Sequence, residues 1–231
     1  MRTLCFIAAE AREFRGFRRR LPPLTRQTWP VEYAVKGEWR GAEVILAANG
    51  PGPALACMAL ETALAGSGTA EVGAVVSTGY CGALDAGLAP GDILVLGEVN
   101  GLAARVPRTA GEFKKGALVS QDRVIVTTME KLELRRSGAI ACDMEASAVA
   151  EAAAALDLPF YCVRVVTDTA GEDLPLDFNR YRDAQGRFDR RRIAVAALRR
   201  PFSVIPALMR FDGVCSRASD ALGDFLANCR F

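Results

Sequence analysis

The stretch AIACDMEASAVAEAAAALDLPFYCVRVVTDTA, residues 139–170, contains the pattern that decides the fold. A short apolar run over Ala139–Cys142 is followed by an alanine-rich segment over Asp143–Ala155 and by a strongly hydrophobic run over Phe160–Thr167. Hydrophobic runs that alternate with alanine-rich segments are typical of a sheet that is covered by helices on both faces. We therefore predict a strand, a helix and a second strand in this stretch.

The same alternation continues towards both ends of the chain. Further strands are predicted at Thr3–Ala9, Glu32–Lys36, Glu43–Ala48, Val72–Thr78 and Asp92–Glu98. Further helices are predicted at Glu10–Leu21, Pro53–Leu64, Thr127–Ser137 and in several segments after Arg190. We expect a single α/β domain over residues 1–231, with three αβα layers, a mixed, mostly parallel central sheet and a helical C-terminal tail from about residue 187.

The composition excludes several classes of function. The chain has 231 residues, 51% of them apolar, which is enough for one domain with a large buried core. Lys and Arg number 29 against 27 Asp and Glu, and the resulting net charge of +2 does not support a nucleic-acid partner. The chain has no histidine, which excludes Ser-His-Asp catalysis, zinc sites of the HExxH type and imidazole as an acid or base. Carboxylates, arginine, hydroxyls, thiols or backbone groups must carry the chemistry.

The seven cysteines and the N-terminus indicate a cytoplasmic protein. The cysteines are odd in number, never form a CxxC motif and mostly lie in apolar runs, so we expect buried reduced thiols and neither disulfides nor a metal site. The first apolar run, Leu4–Ala9, is too short for the core of a signal peptide. No run approaches the roughly 20 residues that a membrane-spanning helix needs.

Two glycine-rich segments follow predicted strands. NGPGP, residues 49–53, precedes a helix, and STGYCGAL, residues 77–84, begins where the strand Val72–Thr78 ends. Glycines allow backbone N–H groups to approach an anion, and a helix N-terminus adds a favourable dipole. A tight strand-to-helix turn explains NGPGP equally well. Because ligands of open α/β sheets bind outside the carboxyl ends of strands, the two segments predict one crevice there.

Carboxylates follow the two strands of the opening stretch. Asp143 is suited to cap the helix after Cys142, whereas Glu145 in the same turn can point into the crevice and accept both hydroxyls of a ribose. Met144 would supply an apolar wall beside it. Asp168 follows a very hydrophobic strand, and such surroundings raise the pKa of an acid towards the range of a general acid at neutral pH. A capping or turn role is the alternative for Asp168.

The motifs NGPG, STGYCGALDAGLAPGDILV, CDMEASAVAEAA and LPFYCVRVVTDTAGED, in this order, resemble those of the purine nucleoside phosphorylase and methylthioadenosine/S-adenosylhomocysteine nucleosidase superfamily. The resemblance extends from residue 3 to about residue 170. It implies an enzyme that cleaves the N-glycosidic bond of an adenine-type nucleoside and needs neither a metal nor a cofactor. It also implies that the protein is a homo-oligomer.

The resemblance assigns roles to individual residues. Met144 and Glu145 would bind the ribose, and Thr167 and Asp168 would activate the leaving base. The base itself is expected against Tyr80, Cys81, Gly82, Val124 and Asp143.

The resemblance leaves the nucleophile open. Phosphorolysis is the main hypothesis, with inorganic phosphate as co-substrate held by Arg12, Gly50, Thr78 and Gly79 and with ribose 1-phosphate as a product. The alternative is hydrolysis, in which Glu10 or Glu13 activates water. Ser77 stands where phosphorylases often carry an arginine, Tyr80 is bulkier than usual, and Val124 replaces an aromatic residue. These departures support a third hypothesis, a nucleoside-binding relative without activity, but the retention of both Glu145 and Asp168 counts against it. The incomplete GxG motif disfavours a dehydrogenase.

The segment after residue 170 resembles the hopanoid-associated phosphorylase branch, which implies a lipid-linked, adenosylhopane-like nucleoside. Its arginines lie beside apolar helical faces, at Arg190, Arg191, Arg192, Arg199 and Arg200. The preferred interpretation of the tail is an amphipathic helix pair with solvated arginines. The alternative is a peripheral contact with an anionic membrane.

Overall fold

A computed structural model describes residues 2–68 and 71–231 of the chain. A twisted mixed sheet lies between two helical layers, as predicted. Its strands are β1 (Thr3–Ala8), β2 (Thr25–Arg26), β3 (Tyr33–Trp39), β4 (Ala42–Ala48), β5 (Val72–Ala83), β6 (Ile93–Val99), β7 (Leu102–Ala103), β8 (Lys114–Ser120), β9 (Ala141–Asp143) and β10 (Phe160–Asp168). Its α-helices are α1 (Arg15–Arg18), α2 (Pro53–Gly66), α3 (Thr128–Arg135), α4 (Ala146–Ala155), α5 (Arg190–Leu198) and α6 (Val204–Ala227), and 3₁₀ turns lie at Ala11–Phe14 and Phe178–Tyr181.

The central strands β10, β5, β1 and β4 run parallel to one another, in that order. Antiparallel strands flank them, with β3 beside β4 and β6 beside β10. The long strand β5 also pairs with β9, and β9, β8, β6 and β10 complete a ring that closes back on β5. The ring brings the ends of β5, β9 and β10 together at one place.

Alternating side chains of the sheet enter two separate cores. In β1, Cys5 and Ile7 pack with α2 and α4 on one face, while Phe6 and Ala8 pack with α1 and α6 on the other. This two-residue period is what a strand covered on both faces requires. The helix α1 crosses α6 very closely, since a Cβ at Gly16 would collide with the backbone at Ser219.

Several local predictions differ from the structure, among them the two-residue strands β2 and β7, which were not predicted. The helix expected over Glu10–Leu21 is only a 3₁₀ turn, Ala11–Phe14, followed by the four-residue α1. The strand β8 was not predicted, because KKGALVS begins with two lysines and a glycine. The segment predicted as a second glycine loop is instead the end of β5, which continues to Ala83 by pairing with β10 and β9.

Within the described ranges, no helix combines the length and the apolar character needed to cross a membrane. The tail forms α5 and α6, as expected, and α6 covers the sheet through Ala218, Leu222, Phe225 and Leu226.

Candidate active site

A cavity of about 510 Å³ lies where β5, β9 and β10 end. The turn after β1 and the helices α5 and α6 complete its walls. Most of the residues proposed from the sequence line it, namely Glu10, Arg12, Glu13, Tyr80, Cys81, Gly82, Val124, Asp143, Met144, Glu145, Thr167 and Asp168. Gly50, Thr78 and Gly79 are not part of this lining. The two carboxylates on which the sequence argument depends, Glu145 and Asp168, therefore face one cavity.

Asp168 ends β10 and is held by a buried lysine. Its Oδ2 accepts a hydrogen bond of 2.7 Å from Nζ of Lys131 in α3, and its Oδ1 lies 3.1 Å from the Thr167 hydroxyl. Burial raises the pKa of Asp168, and the positive charge of Lys131 opposes that shift. A Cβ at Gly82 would lie only 2.9 Å from Asp168 Oδ2. Gly82 is therefore needed to admit this carboxylate beside β5.

Glu145 lies at the N-terminus of α4, directly after β9. Its Oε1 accepts a hydrogen bond of 2.8 Å from the backbone N–H of Gly52. The NGPGP segment thus holds a carboxylate with its backbone, and Gly52 adopts a φ of 99° that glycine tolerates best. Burial and the negative charge of Asp143 raise the pKa of Glu145, while the Gly52 hydrogen bond lowers it.

Asp143 lies in β9 and not in the first turn of α4, where the sequence analysis placed it, because α4 begins only at Ala146. Its Oδ2 accepts from the Ala146 N–H at 3.1 Å and from Arg164 Nη2 at 2.6 Å. Arg164 is almost completely buried in the middle of β10 and also donates to the Ser77 hydroxyl at 2.7 Å. Asp143 therefore has a structural partner in addition to its position on the cavity wall, while its Oδ1 is buried without a hydrogen-bond partner in the described residues.

The structure distinguishes the two glutamates that the sequence left open as bases. Glu10 is held by cations, with its Oε2 at 2.7 Å from Arg12 Nε and its Oε1 at 3.6 Å from Arg190 Nη2. Glu13 is buried, and its carboxylate lies against Gly79 so closely that a Cβ there would collide with it. Burial, together with the charges of Glu145 and Glu10, raises the pKa of Glu13 to about 8.

Of the groups predicted to bind phosphate, Arg12 alone lines the cavity. The Arg12 guanidinium pairs with Glu10 and lies 3.4 Å from Asp212, so its charge is already compensated. Gly50 and Thr78 lie outside the cavity lining, and the Glu13 carboxylate occupies the space over Gly79. A phosphate could reach Gly79 only by displacing the Glu13 side chain.

Two of the residues predicted to bind the base have other contacts as well. The Tyr80 hydroxyl donates to the Cys215 carbonyl of α6 at 2.9 Å. Asn179 pairs with both backbone groups of Val124, at 2.8 Å to its N–H and 2.9 Å to its carbonyl. Val124 is thus left with its side chain to offer to a ligand.

The sequence analysis missed several residues of the site. Lys131 is hidden in a charged helix, KLELRR, where nothing distinguishes it from exposed neighbours. Arg164 could have been recognised as a buried, paired residue, because it is a single cation inside the apolar run FYCVRVV. An apolar wall comes from the tail and from the segment before it, namely Leu174, Phe178, Phe188, Ile193 and Phe211.

The chain is similar in sequence to known proteins of one family. The family model described as the phosphorylase superfamily matches residues 4–112 and 99–199. A 5′-methylthioadenosine/S-adenosylhomocysteine nucleosidase of Shewanella sediminis is 30% identical over 182 residues, which cover 64% of this chain and 77% of the nucleosidase.

Solved structures share the fold. The nucleosidase of the same type from Neisseria meningitidis, in complex with methylthio-immucillin-A, has a TM-score of 0.71 and 21% identity and covers 99% of this chain and 98% of its own. A futalosine hydrolase mutant of Helicobacter pylori has a TM-score of 0.71 and 16% identity and covers 99% of this chain and 98% of its own.

Proposed function

This chain belongs to the phosphorylase superfamily, and on that premise we propose that it hydrolyses the N-glycosidic bond of an adenine-type nucleoside. It is an enzyme of the nucleoside phosphorylase and nucleosidase type. The observation that carries the proposal is that three buried or half-buried carboxylates, Glu13, Glu145 and Asp168, line one cavity. A single nucleoside could meet all three at once.

Each carboxylate has a distinct task in the proposed reaction. Asp168, with its raised pKa, donates a proton to the departing base, which takes the electron pair of the breaking bond. Glu145 accepts hydrogen bonds from the ribose hydroxyls, and its negative charge stabilises the positive charge that develops on the sugar. Glu13 accepts a proton from water as the water oxygen bonds to the anomeric carbon. The products are a free base and a free sugar.

The site favours water over phosphate as nucleophile. The Glu13 side chain lies against Gly79, where the phosphorolytic hypothesis places the phosphate. The Arg12 guanidinium is paired with Glu10 and Asp212. The name of the Shewanella sediminis relative also describes a nucleosidase. Hydrolysis, the alternative of the sequence analysis, is therefore preferred to phosphorolysis. Burial raises the pKa of Asp168 at the cavity wall although Lys131 opposes the shift, and a purely binding relative would have little use for such an acid there.

The substituent at the 5′ position of the nucleoside is proposed to be apolar. The tail and the segment before it add Phe178, Phe188, Ile193 and Phe211 to the cavity, and these side chains offer no hydrogen bonds to a polar group. A thioether or a lipid chain would both suit such a wall. Comparing methylthioadenosine with an adenosyl lipid distinguishes the two.

Product analysis with and without inorganic phosphate tests the reaction. We expect the base to be released at the same rate in both buffers, with the free sugar, still carrying its 5′ substituent, and not the sugar 1-phosphate as the second product. Release that depends on phosphate would overturn hydrolysis.

Matched variants test the assignment of the base. Glu13→Gln should lower kcat by roughly 10²–10⁴-fold, the usual contribution of a general base, while Glu10→Gln should change it only slightly. If Glu10→Gln is the more damaging substitution, Glu13 is not the base.

A further inference from the structure

The tip of the tail, residues 190–210, presents apolar side chains to solvent. Four of the nine large hydrophobic side chains that are exposed in the described residues belong to it. Phe202, between α5 and α6, is 96% exposed, and Met209 in α6 is 70% exposed. Leu198 and Val195 are exposed on one face of α5, three positions apart. Such a concentration of exposed apolar side chains marks an interaction surface.

The tail tip is also the most basic segment of the molecule. It contains six arginines and no Asp or Glu. The remaining chain then has 23 Lys and Arg against 27 Asp and Glu, a net charge of −4, so the positive charge is concentrated at this end. Within residues 2–68 and 71–231, no carboxylate lies at ion-pair distance from Arg191, Arg192, Arg199, Arg200 or Arg210. All five are exposed.

We propose that the tail tip binds the surface of an anionic phospholipid bilayer. A helix pair with exposed Phe, Leu and Met side chains among arginines can insert the apolar groups at the headgroup level while the guanidinium groups meet lipid phosphates. A nucleic acid would use the arginines but would leave Phe202, Leu198 and Met209 in water. A second copy of the chain would present the same cluster of uncompensated arginines to this surface.

The proposal goes beyond the reaction and does not depend on it. Docking by the tail tip would bring the cavity close to the membrane, because α5 and α6 also contribute Ile193 and Phe211 to the cavity wall. An enzyme docked by the tail tip would have this wall of its cavity next to the membrane. The preferred interpretation of the sequence left these arginines solvated, whereas in the proposed bound state their guanidinium groups contact lipid phosphates.

Co-sedimentation of the full chain with vesicles tests the proposal. We expect binding to vesicles of equimolar phosphatidylcholine and phosphatidylglycerol and much weaker binding to phosphatidylcholine alone. Binding should weaken as salt is added, because the screening length falls from about 10 Å at 0.1 M to about 3 Å at 1 M. Equal binding to both vesicle types, or to neither, would overturn the proposal.

Two double variants separate the apolar from the electrostatic contribution. Leu198→Ser with Phe202→Ser should lower the vesicle partition coefficient by about ten-fold or more, because two apolar side chains that would insert into the bilayer are lost. Arg199→Gln with Arg200→Gln should lower it by roughly five-fold for each arginine. The second pair keeps the proposal testable if the first impairs folding.

Met129→Ser with Leu132→Ser is the matched control. These residues of α3 are 72% and 57% exposed, and they lie outside the tail tip. Their replacement should leave vesicle binding unchanged. An equal loss in the control would contradict the proposal. So would a Leu198/Phe202 variant that binds vesicles normally but has a smaller mass in light scattering, because a second copy of the chain would then be the occupant.

Discussion

Replacement of Lys131 by methionine should destabilise the protein in a way that depends on pH. The Lys131 side chain is buried, and its Nζ donates to Asp168 Oδ2 at 2.7 Å and to the carbonyls of Thr169 and Glu172 at 2.6 and 2.9 Å. Methionine approximates the length and the apolar stem of lysine but removes the charge and all three donors. Two carbonyls lose a hydrogen bond, and the Asp168 carboxylate loses its counter-ion.

The magnitude follows from what Asp168 can do without its partner. Removing one member of a buried ion pair costs about 3–5 kcal/mol when the other stays charged. Asp168 can instead bind a proton, and each unit by which its pKa rises costs about 1.4 kcal/mol at a pH above that pKa. Burial already raises the pKa of Asp168 and Lys131 opposes the shift, so loss of Lys131 raises it further.

The sign of the pH dependence is therefore fixed. A carboxyl with a raised pKa in the folded state costs nothing at low pH, where it is protonated in both states. The cost develops as pH rises above the pKa of an unfolded aspartate and is complete above the pKa of folded Asp168. At low pH only the loss of the hydrogen bonds to the two carbonyls should remain, about 1–3 kcal/mol.

Urea unfolding near pH 4 measures the loss of the two carbonyl hydrogen bonds, and unfolding near pH 8 adds the cost of the charged Asp168. Lys114→Met is the control. Lys114 Nζ lies at the same 2.7 Å from Asp92 Oδ2, but its side chain is 47% exposed, so that pair should contribute only about 0–1 kcal/mol. Equal losses for the two variants would refute the reasoning. A loss for Lys131→Met that is the same at both pH values would refute the role of Asp168 in it.

Two further predictions concern Glu13. The kcat/KM of the wild-type enzyme should rise with pH through about 8, because Glu13, the proposed base, acts only after it has lost its proton. This rise should be absent in Glu13→Gln. A rise near pH 4 to 5 instead would mean that another group is titrating. Gly79→Ala should abolish most activity because its Cβ collides with the Glu13 carboxylate. Gly91→Ala, with a positive φ but open space, should cost about 1–3 kcal/mol of stability and leave activity nearly unchanged; similar kcat/KM values for the two variants would contradict the collision.

Most of the longer strands and helices could be predicted from the sequence, because hydrophobic periodicity is a local property. The placement of Glu145 and Asp168 in one cavity could also be anticipated, since both follow hydrophobic strands and the ends of such strands meet. The strand β8 and the extension of β5 escaped prediction. Glycines and lysines are poor strand formers in isolation, and only pairing with β6, β9 and β10 makes these segments strands.

The sequence by itself determined the layered fold, the carboxylates after the strands and the absence of histidine chemistry. Only the tertiary structure decided that Glu13 lies buried against Gly79 while Glu10 pairs with Arg12, that Lys131 holds Asp168, and that Gly82 leaves room for the Asp168 carboxylate. The physical reason is that protonation and ion pairing depend on neighbours that are distant in sequence, such as Lys131 and Asp168, 37 positions apart, or Gly52 and Glu145, 93 positions apart. No local pattern records which of these neighbours will meet.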